Sequence, residues 1–85
     1  MSVRIKLKLF ASLGQYLPPS ARQNTVDLDM PEGMTIAAVL DGVGVPCKSV
    51  KLVFIDGVHQ FPEDLDYRVL ESGETLAVWP PVAGG

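Results

Sequence analysis

At 85 residues, 47% of them hydrophobic, and with a net charge of -3, the chain has room for one small core and none for a second domain or a deep catalytic cleft. Its 7 Lys and Arg against 10 Asp and Glu argue against nucleic acid as the main partner, which usually shows as a basic domain. One cysteine, Cys47, excludes an internal disulfide; no signal-peptide pattern and no apolar run of membrane-spanning length is present, so a cytoplasmic protein without a membrane partner is expected.

From Val3 the sequence alternates with period two. Val3, Ile5, Leu7 and Leu9 point one way and Arg4, Lys6 and Lys8 the other, which predicts a strand with one buried face. A connection follows, with a short helical turn over residues 12–17 stopped by Pro18-Pro19. Residues 25–30 alternate again, Val26, Leu28 and Met30 inward and Asp27 and Asp29 outward, so a hairpin-like pair with the first strand is predicted. Pro31-Glu32-Gly33 turns the chain into a helix with Thr35 as N-cap and Ile36, Val39, Leu40 and Val43 as its apolar stripe. Gly42 and Gly44 offer left-handed stops, and Pro46 prevents resumption.

Residues 50–55 are apolar on both faces and read as a more central strand, with Leu52 expected in the core. Asp56-Gly57 is the strongest turn signal in the chain and returns it through residues 58–61. Residues 62–70 suggest another helical turn, and Ser72-Gly73 leads into a last strand over residues 75–79. A hairpin, one good helix and further strands predict an α+β layer, with the helix across one face of a mixed sheet of four to five strands.

The end of the chain is its most informative part. Pro80 and Pro81 lack amide donors and fix φ, so the last strand must stop there. Residues 80–85 would span roughly 20 Å if extended. Gly84 and Gly85 carry no side chain, so such a tail would fit a narrow channel in another protein. The expected organisation is therefore a folded domain over residues 1–79 and a flexible tail over residues 80–85.

The run Ser72-Gly73-Glu74-Thr75-Leu76-Ala77-Val78-Trp79-Pro80-Pro81-Val82-Ala83-Gly84-Gly85 resembles the end of the MoaD/ThiS family of ubiquitin-like sulfur carriers. It is closest to the molybdopterin synthase small subunit (MoaD), with its G-D-x-V-x-x-x-P-P-V-x-G-G pattern. Lys8-Leu9-Phe10-Ala11-Ser12-Leu13 resembles that family's first strand and its F-F-A-x-L exit. Pro31-Glu32-Gly33-Met34-Thr35-Ile36 resembles the P-E-G-x-T-V start of its helix. Glu74 stands where the family usually has Asp, and Asp56 where it has Asn.

The resemblance implies a β-grasp, ubiquitin-like fold and a chemistry of the chain terminus. An ionised carboxylate is a poor acyl donor. In the family an activating adenylyltransferase (MoeB/ThiF-like) spends ATP to adenylylate the terminal glycine, and sulfur then displaces AMP to leave a thiocarboxylate. A large synthase subunit (MoaE-like) receives that sulfur for molybdenum or tungsten cofactor biosynthesis. Carried over, Gly85 is the activated residue and Gly84 the one that lets it pass, while Pro80, Pro81, Val82, Trp79 and Phe10 are expected to meet the partner. The chain itself would be a non-catalytic donor subunit with no bound cofactor and no metal. Three alternatives stand beside this: a carrier for another pathway such as thiamine, a ubiquitin-like protein modifier, and a plain β-grasp interaction module.

Other residues have simpler readings. The basic stripe Arg4, Lys6 and Lys8 is expected to pair with Asp27 and Asp29 across the hairpin. Phe10 and Trp79, both at strand ends, are read as an apolar patch at the root of the tail or as closure of the core. Cys47 has no partner thiol in the sequence and His59 no partner for acid–base work. No Ser-His-Asp set, phosphate loop or metal-ligand spacing is present.

Overall fold

The computed structural model describes residues 2–19 and 21–81, apart from the side chain of Cys47. Strand β1 (Ser2–Leu9) buries Val3, Ile5, Leu7 and Leu9 and leaves Arg4 and Lys6 exposed. A 3-10 turn, Ala11–Tyr16, follows and buries Leu13. The chain then reverses about Gln23-Asn24, both at positive φ (52° and 63°), with Arg22 and Thr25 exchanging backbone hydrogen bonds of 2.9 Å. This is the primed geometry that suits a tight hairpin. It launches β2 (Thr25–Pro31), which runs antiparallel to β1 with Ile5 opposite Leu28.

Helix α1 (Ile36–Val43) is capped as its sequence requires. The Thr35 hydroxyl accepts from the Ala38 N–H at 3.2 Å, and Gly44, at φ 97°, donates back to the carbonyls of Leu40 and Asp41. Gly42 lies inside the helix and is no stop, because Gly44 already supplies the left-handed turn. The Ile36 and Ala37 amides, orphans of the first turn, donate to the carbonyls of Arg68 and Leu65 at 3.1 and 2.8 Å. The segment expected only as a further helical turn, which is 3-10 over Pro62–Asp64, thus leads into a loop that anchors the start of α1.

Strands β3 (Leu52–Ile55) and β4 (Val58–Gln60) form a hairpin about Asp56-Gly57, at φ 50° and 84°. The last strand, β5 (Thr75–Trp79), enters between β1 and β3, parallel to the first and antiparallel to the second. The sheet order is β2-β1-β5-β3-β4. Ile36, Val39 and Leu40 of α1 pack with Val3, Ile5, Leu7, Leu9, Val53, Ile55, Leu76 and Val78 in one core. This is the β-grasp, ubiquitin-like arrangement: a mixed sheet with one main helix across one face.

One sequence-based expectation about the core needs correction. Leu52 is 40% exposed, because on β3 it is Val53 and Ile55 that face α1, leaving Leu52 and Phe54 on the other side. Val26 and Leu28 face inward as expected and pack against the core, only half-buried because β2 is an edge strand that the helix covers incompletely.

Candidate functional site

The face of the sheet turned away from α1 has two halves. On β1 and β2 it is charged. Arg4 donates from Nε and one Nη to both carboxylate oxygens of Asp29, at 2.9 and 3.1 Å. That hydrogen bond, with the opposite charge behind it, holds Asp29 below the usual carboxylate range and raises Arg4 further. The rest of the expected pairing does not form. Lys6 stands opposite Asp27 in the register and Lys8 opposite Thr25, yet among the described residues the ion pairs are Arg4–Asp29 and Arg68–Glu74.

On β5, β3 and β4 the same face is aromatic. Leu9 and Val78 are register partners of the parallel pair β1–β5, so the next residues along, Phe10 and Trp79, come side by side. Their rings stack with centroids 4.3 Å apart and planes 8° from parallel. Phe54 meets Trp79 edge-on at 5.2 Å and His59 at 5.4 Å, and His59 in turn meets Phe61 at 4.8 Å. The rings form a continuous ladder from the end of β5 to the far edge of the sheet. Beside it a shallow hollow of about 370 Å³ is lined by Lys8, Phe10, Phe54, Thr75, Ala77 and Trp79, among others.

Phe10 and Trp79 are therefore brought together, half-buried rather than inside the core. Phe54, His59 and Phe61 extend the patch and were not among the expected site residues. For Phe54 the signal was the apolar character of both faces of residues 50–55, which marks an apolar open face as well as it marks a central strand.

Backbone hydrogen bonds clamp the end of β5 from both sides. The Val78 carbonyl accepts from the Phe10 amide at 3.1 Å and the Trp79 carbonyl from the Lys51 amide at 2.8 Å. Pro80 is buried and Pro81 exposed. Pro80, expected to belong to the tail and to meet a partner, is thus packed into the body, and of the two prolines only Pro81 offers its surface. Val82, Gly84 and Gly85 lie outside the described residues.

A second polar cluster, half-buried at Arg68 and Glu74, is structural. Glu74 accepts from Arg68 at 2.6 Å and from the Glu71 amide at 2.7 Å, fixing the turn before β5. Asp56 accepts from the Thr75 amide at 2.9 Å and ties the β3–β4 turn to the start of β5. No group of His, Cys, Asp or Glu among the described residues is placed to hold a metal ion. No helix of the described residues is long and apolar enough to cross a membrane.

Comparison with known proteins agrees with this geometry. The HVO 2177 protein from Haloferax volcanii, in its solution structure, superposes with a TM-score of 0.76 at 21% identity, over 99% of this chain and 88% of that one. SAMP1 from the same organism gives 0.67 at 26% identity, over 96% and 99%. A putative molybdopterin converting factor, subunit 1, from Pyrococcus furiosus gives 0.66 at 19% identity, over 94% and 99%. No curated protein matches the chain. The fold is that of the ubiquitin-like proteins, consistent with the MoaD/ThiS-like resemblance read from the sequence. Residues 2–84 match the family described as Mut7-C ubiquitin, and the chain belongs to that family.

Proposed function

We propose that the chain is a ubiquitin-like sulfur carrier that works through the carboxylate of Gly85. The observation that carries this reading is the seat of β5. The strand is held on both sides, ends beside an aromatic platform, and hands the chain through Pro81 to a segment ending in Gly84-Gly85.

On this reading an activating adenylyltransferase transfers AMP from ATP to the Gly85 carboxylate with release of pyrophosphate. Hydrosulfide then attacks the acyl carbon, the C–O bond to AMP breaks, and AMP leaves with the bonding pair, giving a thiocarboxylate and a released proton with no change of oxidation state. The aromatic platform with Pro81 grips the activating enzyme and the sulfur acceptor in turn. Gly84 passes the narrow approach to the reacting carbon. The acceptor is a large subunit of molybdopterin-synthase type, in the cytoplasm, and the chain alone is not an enzyme. A second reading, a protein modifier whose Gly85 is joined to lysine amines, is supported by the 26% identity to SAMP1 over nearly the whole chain, a name that stands for small archaeal modifier protein 1. Both require the same adenylylation.

The test is incubation with ATP, an activating adenylyltransferase and a sulfur source, followed by intact-mass measurement. The carrier shows one oxygen replaced by sulfur, whereas the modifier appears in isopeptide-linked conjugates. Deleting Gly85, or adding one residue after it, should abolish the product without disturbing the fold. One residue moves the carboxylate by about 3.5 Å, beyond the tolerance of a near-attack geometry. If the shortened and lengthened chains react as well as the native one, Gly85 is not the reacting residue and both readings fall.

A further inference from the structure

On the layer opposite the aromatic face, α1 and the loop that anchors it leave a cleft of about 300 Å³, lined chiefly by Leu40, Val45, Val50 and Leu65 with Asp41 and Asp66 at its mouth. Leu40 and Val45 are buried and form the floor, Val50 and Leu65 are half-buried walls, and both carboxylates are exposed. The cleft is held open rather than left open by loose packing. The Ala37 amide donates to the Leu65 carbonyl at 2.8 Å, so the two sides are fixed to each other, and binding there carries little ordering cost.

Its size, at the bottom of the range of about 300–1,000 Å³ for ligand pockets, suits one large apolar side chain and is small for a cofactor. Neither Asp41 nor Asp66 forms an ion pair among the described residues: Arg68, two residues beyond Asp66, is engaged by Glu74, and Lys48 and Lys51, beside Val50 in the sequence, form no ion pair with either carboxylate. The mouth thus presents two exposed carboxylates with no ion-pair partner among the described residues beside an apolar floor.

We propose that this cleft docks a segment of a second protein that presents one apolar side chain flanked by lysine or arginine. The cleft uses no residue of the tail or of the aromatic ladder and lies on the other layer of the fold. A partner seated there and a partner gripping the root of the tail therefore bind at the same time, and the chain can bring the two together.

The test is titration of the isotope-labelled full chain with two capped synthetic tetrapeptides, Arg-Leu-Leu-Lys and Glu-Leu-Leu-Glu, followed by amide chemical shifts. The basic peptide should give saturable shifts around Asp41, Val45, Val50, Leu65 and Asp66, and the acidic peptide should not. The double substitution Asp41→Asn with Asp66→Asn, which keeps the shape of the cleft, should weaken binding roughly three- to tenfold, and added salt should act in the same direction. An unchanged spectrum elsewhere in the double variant shows that its fold is intact. Absence of saturable shifts, equal response to the acidic peptide, or shifts on the aromatic face instead would each overturn the proposal. So would self-association of the free chain through the cleft, since a second copy would then be its occupant.

Discussion

Phe10 and Trp79 lie face to face because they occupy equivalent positions, one step beyond a register pair, on two parallel strands. The stack is therefore a product of topology as much as of ring attraction. Phe54, one strand further on, closes it edge-on. The platform at the root of the tail is set by β1, β5 and β3 together, and its shape is fixed before any partner arrives.

Removing one ring tests this. Phe10→Ala should lower stability by roughly 1–3 kcal/mol, combining lost apolar burial with the lost stack. Trp79 is the sole tryptophan, so its emission should shift to the red as the face of its ring opens to water. Denaturant titration followed by that emission reads both effects. An unshifted spectrum would show that the stack does not persist in solution.

The two faces of β1 and β3 predict opposite sensitivities. Leu7→Ala, at a fully buried position, should cost about 2–5 kcal/mol, a large part of the roughly 5–10 kcal/mol expected for a domain of this length. Leu52→Ala should cost less than about 1 kcal/mol, because the side chain is already 40% exposed. Thermal midpoints of the two variants measure the contrast, and equal losses would place Leu52 in the core after all.

Glu74 joins the Arg68 guanidinium and the Glu71 amide where the chain enters β5. Its side chain is 15% exposed, so Glu74→Ala leaves a poorly solvated donor set and should cost about 1–3 kcal/mol. The loss should depend little on salt. Arg4→Ala, which removes an exposed pair, should by contrast change stability little at any ionic strength.

The same exposed pair has a defined pH signature. Asp29 titrates below an unfolded carboxylate because Arg4 donates to its charged form. Its contribution is therefore present above the ordinary carboxylate pKa of about 4 and is lost as pH falls through the lower folded value. Carboxyl NMR should show Asp29 titrating at lower pH than an unfolded-chain aspartate, with Arg4→Gln returning it to the ordinary range. No difference between the two proteins would mean that the pair is not populated.

Local pattern carried much of this fold. The alternation of Val3 to Leu9, the Thr35 cap, the stop at Gly44 and the Asp56-Gly57 turn each follow from short-range chemistry and stand where the residues put them. The seat of β5 did not. Nothing in Thr75 to Trp79 says that it inserts between β1 and β3, since strand order depends on which faces meet α1 and not on any local signal. The same limit hid the extension of the Phe10–Trp79 patch into a ladder. Phe54 is far from both Phe10 and Trp79 in the sequence, and only the strand order brings it to them. Leu52 was misassigned for a related reason: an apolar residue on an open face looks, in sequence, like one in a core.

The parallel pairing of β1 with β5 also decides how the molecule bears force. Parallel neighbours joined at the start of one and the end of the other are pulled along their length, so their hydrogen bonds, from Lys6 opposite Thr75 to Leu9 opposite Val78, are strained together and not one after another. A pull on the tail against the first strand meets the sheet in shear. Once the tail is held by another protein, tension along the chain has to break this whole ladder before the body can be drawn open.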